Sequence, residues 1–305
     1  MQLSRWGWSP YETEEDMSLE RTALSEVVDV VADGMDAQIV VIHSKIAFGA
    51  QQLAAAPSLR LLITTTSGTE HIDLAEMVKR GVTVCRLPMA RRDAVVDATV
   101  GMLIWGLRRF GTLQQRAADG VWARSELPVL GPVGLSGACI GLVGQGVIGT
   151  QVSAVLVALG ARVWACDPAG VPSGVVEASV DEMLSRCDAV SLHCDLNPST
   201  RNIISKGRIE TARSSLVLVN TARGGLVDVP AALTALSQGG LGALALDVFP
   251  DEPYLSLDQV CEYPDLLCLP HAAGYHTRLA VLVRTGLREA VESFTSDGSA
   301  PHQVA

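Results

Sequence analysis

Arg223, Asp247, Glu252 and His271 carry the side chains in this sequence best suited to anion and proton chemistry, and they cluster just after apolar runs that read as buried strands. Gly144, Asp167 and His193 follow earlier runs of the same kind. In an open parallel sheet, ligands bind beyond the carboxyl ends of the strands, so these positions outline a site. Its chemistry is that of hydride transfer. Interconverting a hydroxy acid and an oxo acid needs a cation to hold the carboxylate and polarise the carbonyl, and a proton donor within reach of the carbonyl oxygen. Arg223 offers a planar fork matched to a carboxylate. His271 offers an imidazole, and a carboxylate such as Glu252 would fix its ring. Each residue alone also fits a duller role, Arg223 as a turn arginine and Glu252 as a loop cap; convergence beside a nucleotide motif favours the functional one. His193 reads as structural or cofactor-lining and His276 as a weaker candidate at the substrate rim, whereas His43, His71 and His302 read as structural or solvated.

The element that must position this set is the stretch from Ile140 to Asp167, IGLVGQGVIGTQVSAVLVALGARVWACD. An apolar run enters Gly144-Gln145-Gly146-Val147-Ile148-Gly149, a helical stretch runs to Gly160, and a second apolar run ends in Asp167. Gly144 permits a tight turn, Gly146 lets backbone N–H groups approach a pyrophosphate, and Gly149 lets the helix lie on the strand. The helix N-terminus then meets the phosphates with unpaired donors and partial positive charge. A carboxylate at Asp167 suits a ribose diol and repels a 2′-phosphate, so the expected cofactor is NAD rather than NADP.

Composition narrows the class. A chain of 305 residues suits two domains, and the formal charge of −10 with only 4% aromatic residues gives no basic, aromatic-interleaved surface for nucleic acid. No apolar run approaches the 18 residues that span a bilayer; the longest, Ala98 to Leu107, is about half that. The first residues show no export signal, and the seven cysteines lack CxxC spacing, so free thiols in a reducing cytoplasm are expected and a metal site is not.

Apolar periodicity predicts an α/β alternation throughout. In the first part, strands are expected at Leu3–Trp8, Gln38–His43, Arg60–Thr65 and Val82–Cys85, with helices at Met17–Ala32, Phe48–Ala55 and Leu74–Arg80. A long helix capped by Asp93 and running to about Ala118 is expected to be buried between two bodies, and its apolar surplus suggests a homodimer. Strands at Ala138–Val143, Arg162–Cys166, Ala189–His193, Ser215–Asn220, Ala243–Asp247 and Leu266–Leu269 follow, with helices at Val180–Arg186 and Ser199–Ser205, one opened by Asp228, and a last one at Thr277–Phe294. The expected fold is therefore α/β, two doubly wound parallel-sheet domains: a Rossmann dinucleotide-binding domain, residues 93–275, inserted into a flavodoxin-like substrate domain of residues 1–92 and 276–305.

From Gln38 to Phe294 the chain resembles the D-isomer-specific 2-hydroxyacid dehydrogenase family. SGTEHIDL (Ser67 to Leu74) is similar to the family's substrate-domain loop, and GLVGQGVIG to its dinucleotide fingerprint. LHCDLNPSTRNII (Leu192 to Ile204) is similar to a cofactor-lining segment, NTARGGLVD (Asn220 to Asp228) to the segment with the catalytic arginine, ALDVFPDEP within Leu244 to Pro253 to that with the acid, and LPHAAGY (Leu269 to Tyr275) to that with the histidine. The resemblance implies Arg223 as the carboxylate and carbonyl ligand, His271 as acid/base and Glu252 as its partner. It implies cofactor contacts from Gly144, Gln145, Gly146, Val147, Ile148, Gly149, Asp167, His193, Thr200, Thr221, Ala222, Asp247 and Gly274, with Asp247 near the nicotinamide carboxamide. Ser44, Ser67, Gly68 and Thr69, with Arg223, are the implied substrate residues.

Four positions depart from the family pattern: Asp195 for a proline, Thr66 for a glycine in the substrate loop, Arg86 for an asparagine, and Val96-Asp97-Ala98 for Ala-Glu-His. Arg86, Arg91 and Arg92 read as solvated charges at a helix start, the alternatives being a ligand for a second anionic group on the substrate or the steering of anions into the cleft. The expected activity is NAD-dependent interconversion of a 2-oxo acid and its (R)-2-hydroxy acid, the stereochemistry being implied by the resemblance. An NAD(H)-sensing corepressor-like protein and a dehydrogenase of formate or phosphite are the alternatives, and pocket shape is expected to depend on Ser44, Lys45, the loop from Thr66 to Glu70, Arg86 to Arg92 and Tyr254 to Leu257.

Overall fold

The computed structural model describes residues 1–32, 36–254 and 263–305, so Leu255, Ser256 and Leu257 of the expected pocket, and Cys261, lie outside the described residues. The chain divides into two compact units, Met1–Arg91 with Tyr275–Ala305, and Arg92–Gly274.

The first unit is built on β-branched and leucine runs that are buried on both faces. Strands β1 (Gln2–Trp6), β2 (Asp29–Val31), β3 (Ile39–Ile42), β4 (Leu61–Thr64) and β5 (Thr83–Arg86) form a parallel sheet of order β2-β1-β3-β4-β5. Helix α1 (Glu14–Ser25) is opened by a Thr13/Asp16 capping box. Helix α2 spans Ala50–Ala55, and α3 (Leu74–Arg80) starts on an Asp73 cap and ends at Gly81, whose φ of 66° is the left-handed geometry of a C-cap. The helix expected over Met17–Ala32 stops at Ser25, because the following β-branched residues Val30 and Val31 leave it to pair in parallel with Leu3 and Ser4.

Helix α4 (Met89–Leu107) begins directly after Pro88 rather than at Asp93, which sits inside it and pairs with Arg92. It also ends early. Arg109 adopts φ 56°, its guanidinium bonds to the Gly242 carbonyl, and α5 (Phe110–Ala118) sets off anew. A Cβ on Gly106 would lie 2.5 Å from Val217, and one on Gly111 only 1.7 Å from the Pro264 carbonyl, so glycine sets the close docking of both helices. Met102, Leu103 and Leu107 are core residues, and the apolar surface left over lies beyond α4: Trp122 is 86% exposed, as is 90% of Val129 in the short α6 (Leu127–Leu130).

In the second unit the strands are β6 (Cys139–Val143), β7 (Arg162–Cys166), β8 (Val176–Glu177), β9 (Ala189–Leu192), β10 (Val217–Asn220), β11 (Ala243–Leu246) and β12 (Leu266–Cys268). They form a parallel sheet of order β12-β11-β10-β9-β6-β7-β8, so strand order reverses between β6 and β9. Helices α7 (Val147–Ala158), α8 (Val180–Arg186), α9 (Lys206–Thr211) and α10 (Val229–Ser237) connect them, with α4 and α7 packed on one face and α8, α9 and α10 on the other. No helix forms over Ser199–Ser205: the Asn197 side chain accepts from the Ser199 and Thr200 amides, Asn202 is left-handed, and Ser205 instead caps α9. The last helix, α11 (Leu279–Asp297), returns to the first unit, where Val283, Leu287, Val291 and Phe294 enter the core beside Leu3, Ile39 and Ile63.

Candidate active site

The reversal of strand order puts Gly144, after β6, beside His193, after β9. A Cβ on Gly144 (φ 100°) would fall 2.7 Å from the His193 carbonyl carbon, and one on Gly149 only 2.1 Å from the Gly144 carbonyl oxygen. Both must be glycine for α7 to seat on β6. Gly146 differs: nothing lies within 4 Å of its Cβ position, and as the exposed N-cap of α7 it leaves backbone donors facing open space. Asp167 braces this turn, its Oδ2 accepting from the Gln145 amide at 2.7 Å and its Oδ1 from Ala169 at 2.8 Å. The Gln145 side chain folds inward and accepts from Ser153 Oγ at 2.8 Å, a brace that the fingerprint pattern does not reveal. A cavity of about 680 Å³ opens beside the turn, lined by Gly144, Asp167, Pro168, Cys194, Thr200 and their neighbours, which is room for half of a dinucleotide. The open donors, cavity and carboxylate fit a dinucleotide with a free ribose diol. Burial pushes the His193 imidazole down to about 4, so the ring is neutral at physiological pH, held to Ser191 Oγ at 3.0 Å.

The residues after β10, β11 and β12 come together through backbone contacts. Arg223, half-buried, sits at the head of a 3-10 turn; its carbonyl accepts from Asn220 Nδ2 at 2.8 Å, and Asn220 Oδ1 takes the Ala222 amide at 3.0 Å. Gly224 next to it has its Cβ position 1.9 Å from the Phe249 carbonyl carbon, which presses the arginine turn onto the loop bearing Glu252. Glu252 Oε1 accepts from the Phe249 amide at 3.0 Å, and its Oε2 lies 2.7 Å from His271 Nδ1. With Nδ1 so held, Nε2 of this exposed histidine has no hydrogen-bond partner among the described residues, which leaves that nitrogen open to give or take a proton. His271 has φ 55°, a left-handed backbone uncommon outside glycine.

Asp247 supports that backbone. It is buried, its carbonyl accepts from the His271 amide at 2.8 Å, and its two carboxylate oxygens accept from Ala272 at 2.7 Å and Ala273 at 3.1 Å. Burial raises its pKa, opposed by those two amides. This clamp was not evident from the sequence, although an acid directly after a strand was the available signal. Thr221 is also buried, its hydroxyl 2.9 Å from that of Thr99. Thr200 bonds to the Asp195 carbonyl at 2.6 Å, and Gly274 closes the second unit.

Ser44, Ser67, Gly68 and Thr69 belong to the first unit, with Ser44 exposed and Gly68 buried. Arg86 and Arg91 do not behave as the solvated charges expected of them. Each is partly buried and donates Nη1 to a loop carbonyl, Arg86 to Ser67 at 3.1 Å from the end of β5, beside the end of β4, and Arg91 to Thr65 from the first turn of α4. Arg92, likewise partly buried, pairs with Asp93. His276 bonds to the Ala90 carbonyl at 3.2 Å within the same unit. Among the described residues no helix is long and apolar enough to cross a membrane, and no group of three or more His, Cys, Asp and Glu is gathered to hold a metal.

Residues 100–273 match the model for the D-isomer specific 2-hydroxyacid dehydrogenase NAD binding domain. A glyoxylate reductase of Thermofilum pendens is 32% identical over 249 residues, 78% of this chain and 72% of that protein. A D-3-phosphoglycerate dehydrogenase of Escherichia coli strain K12 is 32% identical over 248 residues, and there the match spans 59% of the relative's length. The fold is shared with D-lactate dehydrogenase of Aquifex aeolicus, solved with NAD and lactic acid, at a TM-score of 0.80 and 24% identity over 98% of this chain and 96% of that one.

Proposed function

The chain is a member of the D-isomer specific 2-hydroxyacid dehydrogenase family, oxidoreductases with an NAD-binding domain, and from that premise we propose that it interconverts a 2-oxo acid and its (R)-2-hydroxy acid. The observation that carries this reading is the His271–Glu252 pair at 2.7 Å beside the Arg223 turn, on the same sheet that carries the glycine turn. NADH supplies the hydride when bound, and Gly144 to Gly149, Asp167, His193, Thr200, Thr221, Ala222, Asp247 and Gly274 are the residues proposed to hold it.

In the reducing direction Arg223 draws the carbonyl towards oxyanion character and holds it with charge-assisted hydrogen bonds. His271 delivers its Nε2 proton to the carbonyl oxygen as the carbon is reduced, and Glu252, on Nδ1, steadies the ring and offsets its charge. Oxidation reverses these roles, with Nε2 taking the hydroxyl proton. Ser44 and the Ser67–Thr69 loop are proposed to bind the substrate carboxylate.

The exposed Trp122 and Val129 support a homodimer, since apolar side chains of that size gain by being covered. The six described cysteines, Cys85, Cys139, Cys166, Cys187, Cys194 and Cys268, are free thiols, even where Cys139 and Cys187 lie 3.2 Å apart, which supports a cytoplasmic location.

The deciding experiment is a panel of 2-oxo acids with NADH and NADPH in parallel, together with formate and phosphite in the oxidising direction. Turnover of 2-oxo acids, faster with NADH, is expected. Arg223→Ala and His271→Ala should each lose at least about a hundredfold in turnover while still binding NADH. Tight NADH binding with no turnover of any acid would favour a sensor and sink the enzymatic reading.

A further inference from the structure

The loop after β4 has its carbonyls and its amides in opposite circumstances. Five consecutive carbonyls are taken: Thr65 by Arg91 Nη1, Thr66 by the Leu87 amide at 3.2 Å, Ser67 by Arg86 Nη1 at 3.1 Å, Gly68 by Thr66 Oγ1 at 3.2 Å and Thr69 by the Ile72 amide at 2.9 Å. Among the described residues, the amides of Thr66, Ser67, Gly68 and Thr69 meet no acceptor. A run of backbone N–H groups with its carbonyls turned into the protein is an anion-binding concavity.

Two of the five donors are guanidiniums, and they are not interchangeable with the neutral ones. A charged donor binds a carbonyl about twice as strongly as a neutral donor. It also draws electron density through the peptide it bonds, which strengthens the next N–H as a donor. Arg91 on the Thr65 carbonyl thus acts on the Thr66 amide, and Arg86 on the Ser67 carbonyl acts on the Gly68 amide. Arg91 lies in the first turn of α4 and makes no ion pair among the described residues, and burial pulls its pKa down against the attraction of Glu12 and Tyr11. A carboxylate would satisfy such a charge better than a carbonyl does, yet the fold gives it the carbonyl.

We propose that Arg86 and Arg91 are positioning residues, which hold the 65–69 loop with its amides unpaired and polarised towards the carboxylate of a 2-oxo acid and do not themselves contact the substrate. The inference rests on the activity proposed above, and it replaces the second-anion role as the account of this arginine pair. It makes a sharp distinction between substrates. A positioning residue affects every carboxylate that uses the loop, whereas a ligand for a second anion affects only dianions.

The test is steady-state kinetics of the wild type, Arg91→Met, Arg91→Lys and Arg86→Met with glyoxylate, pyruvate and oxaloacetate. Arg91→Met should raise KM by about 20-fold or more, the scale of one lost hydrogen bond to a charged group, with kcat much less affected. The increase should agree within about threefold across the three acids, Arg91→Lys should recover part of it, and NADH affinity should hold. A loss confined to oxaloacetate, or no KM change, overturns the proposal. A second readout needs no turnover: in ¹⁵N spectra of the whole protein, Arg91→Met should move the Thr66 amide and Arg86→Met the Gly68 amide, and unmoved amides overturn the proposal. If the wild type reduces none of the acids, the proposed activity fails while the spectra still decide the loop.

Discussion

Replacing Asp247 tests whether His271, the proposed proton donor, is placed by a buried carboxylate acting on the backbone. Three hydrogen bonds run from the segment 271–273 to this one residue, and two of them end on its carboxylate, at 2.7 and 3.1 Å. Bonds to a charged acceptor contribute about 1.5–3 kcal/mol each. Against them stands the left-handed backbone of His271, a strain of about 1–3 kcal/mol. Asp247→Asn keeps the shape and one acceptor oxygen but turns an NH2 group towards one of the two amides. The loop then loses one strong bond, about 2 kcal/mol, and the one side-chain bond that remains, now to a neutral amide oxygen, no more than balances the strain. At about 1.4 kcal/mol per tenfold, turnover should fall by roughly 10- to 100-fold, and Asp247→Ala, which strands both amides, should fall further. The assay is kcat for a 2-oxo acid with saturating NADH, accompanied by NADH affinity and Tm. Unchanged kcat in Asp247→Asn with a native Tm would refute the clamp, and a loss entirely in NADH affinity would leave the carboxylate with its proposed cofactor role alone.

Other expectations concern the glycine turn and a buried acid. Gly149→Ala puts a Cβ 2.1 Å from the Gly144 carbonyl oxygen and should lower both Tm and NADH affinity, whereas Gly146→Ala, whose Cβ meets open space, should weaken NADH binding with little change in Tm; equal Tm losses would contradict this reading. Glu20 is buried against Arg5, and burial pushes its carboxyl up to about 7 from an ordinary 4.5. The folded state therefore holds this proton more tightly than the unfolded one, so the stability it contributes is complete below about pH 4.5 and is lost as pH rises towards 7, by about 3 kcal/mol at about 1.4 kcal/mol per pH unit. The stability of Glu20→Gln relative to wild type should climb by that order between pH 4.5 and 7.5 in denaturant titrations; a difference independent of pH would remove burial as the cause. His193 has the opposite sign: its pKa is depressed from 6.5 to about 4, so His193→Asn should flatten the loss of stability on acidification between those values.

Most of the architecture was legible because its signals are local. Apolar runs such as Ile39–Ile42 and Val217–Asn220 have the length and β-branching of buried strands, and Asp228 announces the helix it caps. Misreadings arose where a local pattern was overruled from a distance. Val30 and Val31 continue a helical pattern yet join a sheet because β1 offers an open edge, and the expected single helix from Asp93 breaks at Arg109 because that residue's guanidinium finds the Gly242 carbonyl 133 positions later.

The sequence by itself determined the alternation of strands and helices, the dinucleotide turn, and which side chains are chemically able to act, since these depend on residue type and short spacing. Only the tertiary structure decided which of them act through others. Asp247 clamps the backbone of His271, Gln145 braces the glycine turn through Ser153, and Arg86 and Arg91 grip carbonyls of the loop beside them. The physical reason is that a hydrogen bond's partner is set by where separate strands end in space, and residue spacing along the chain carries no record of that.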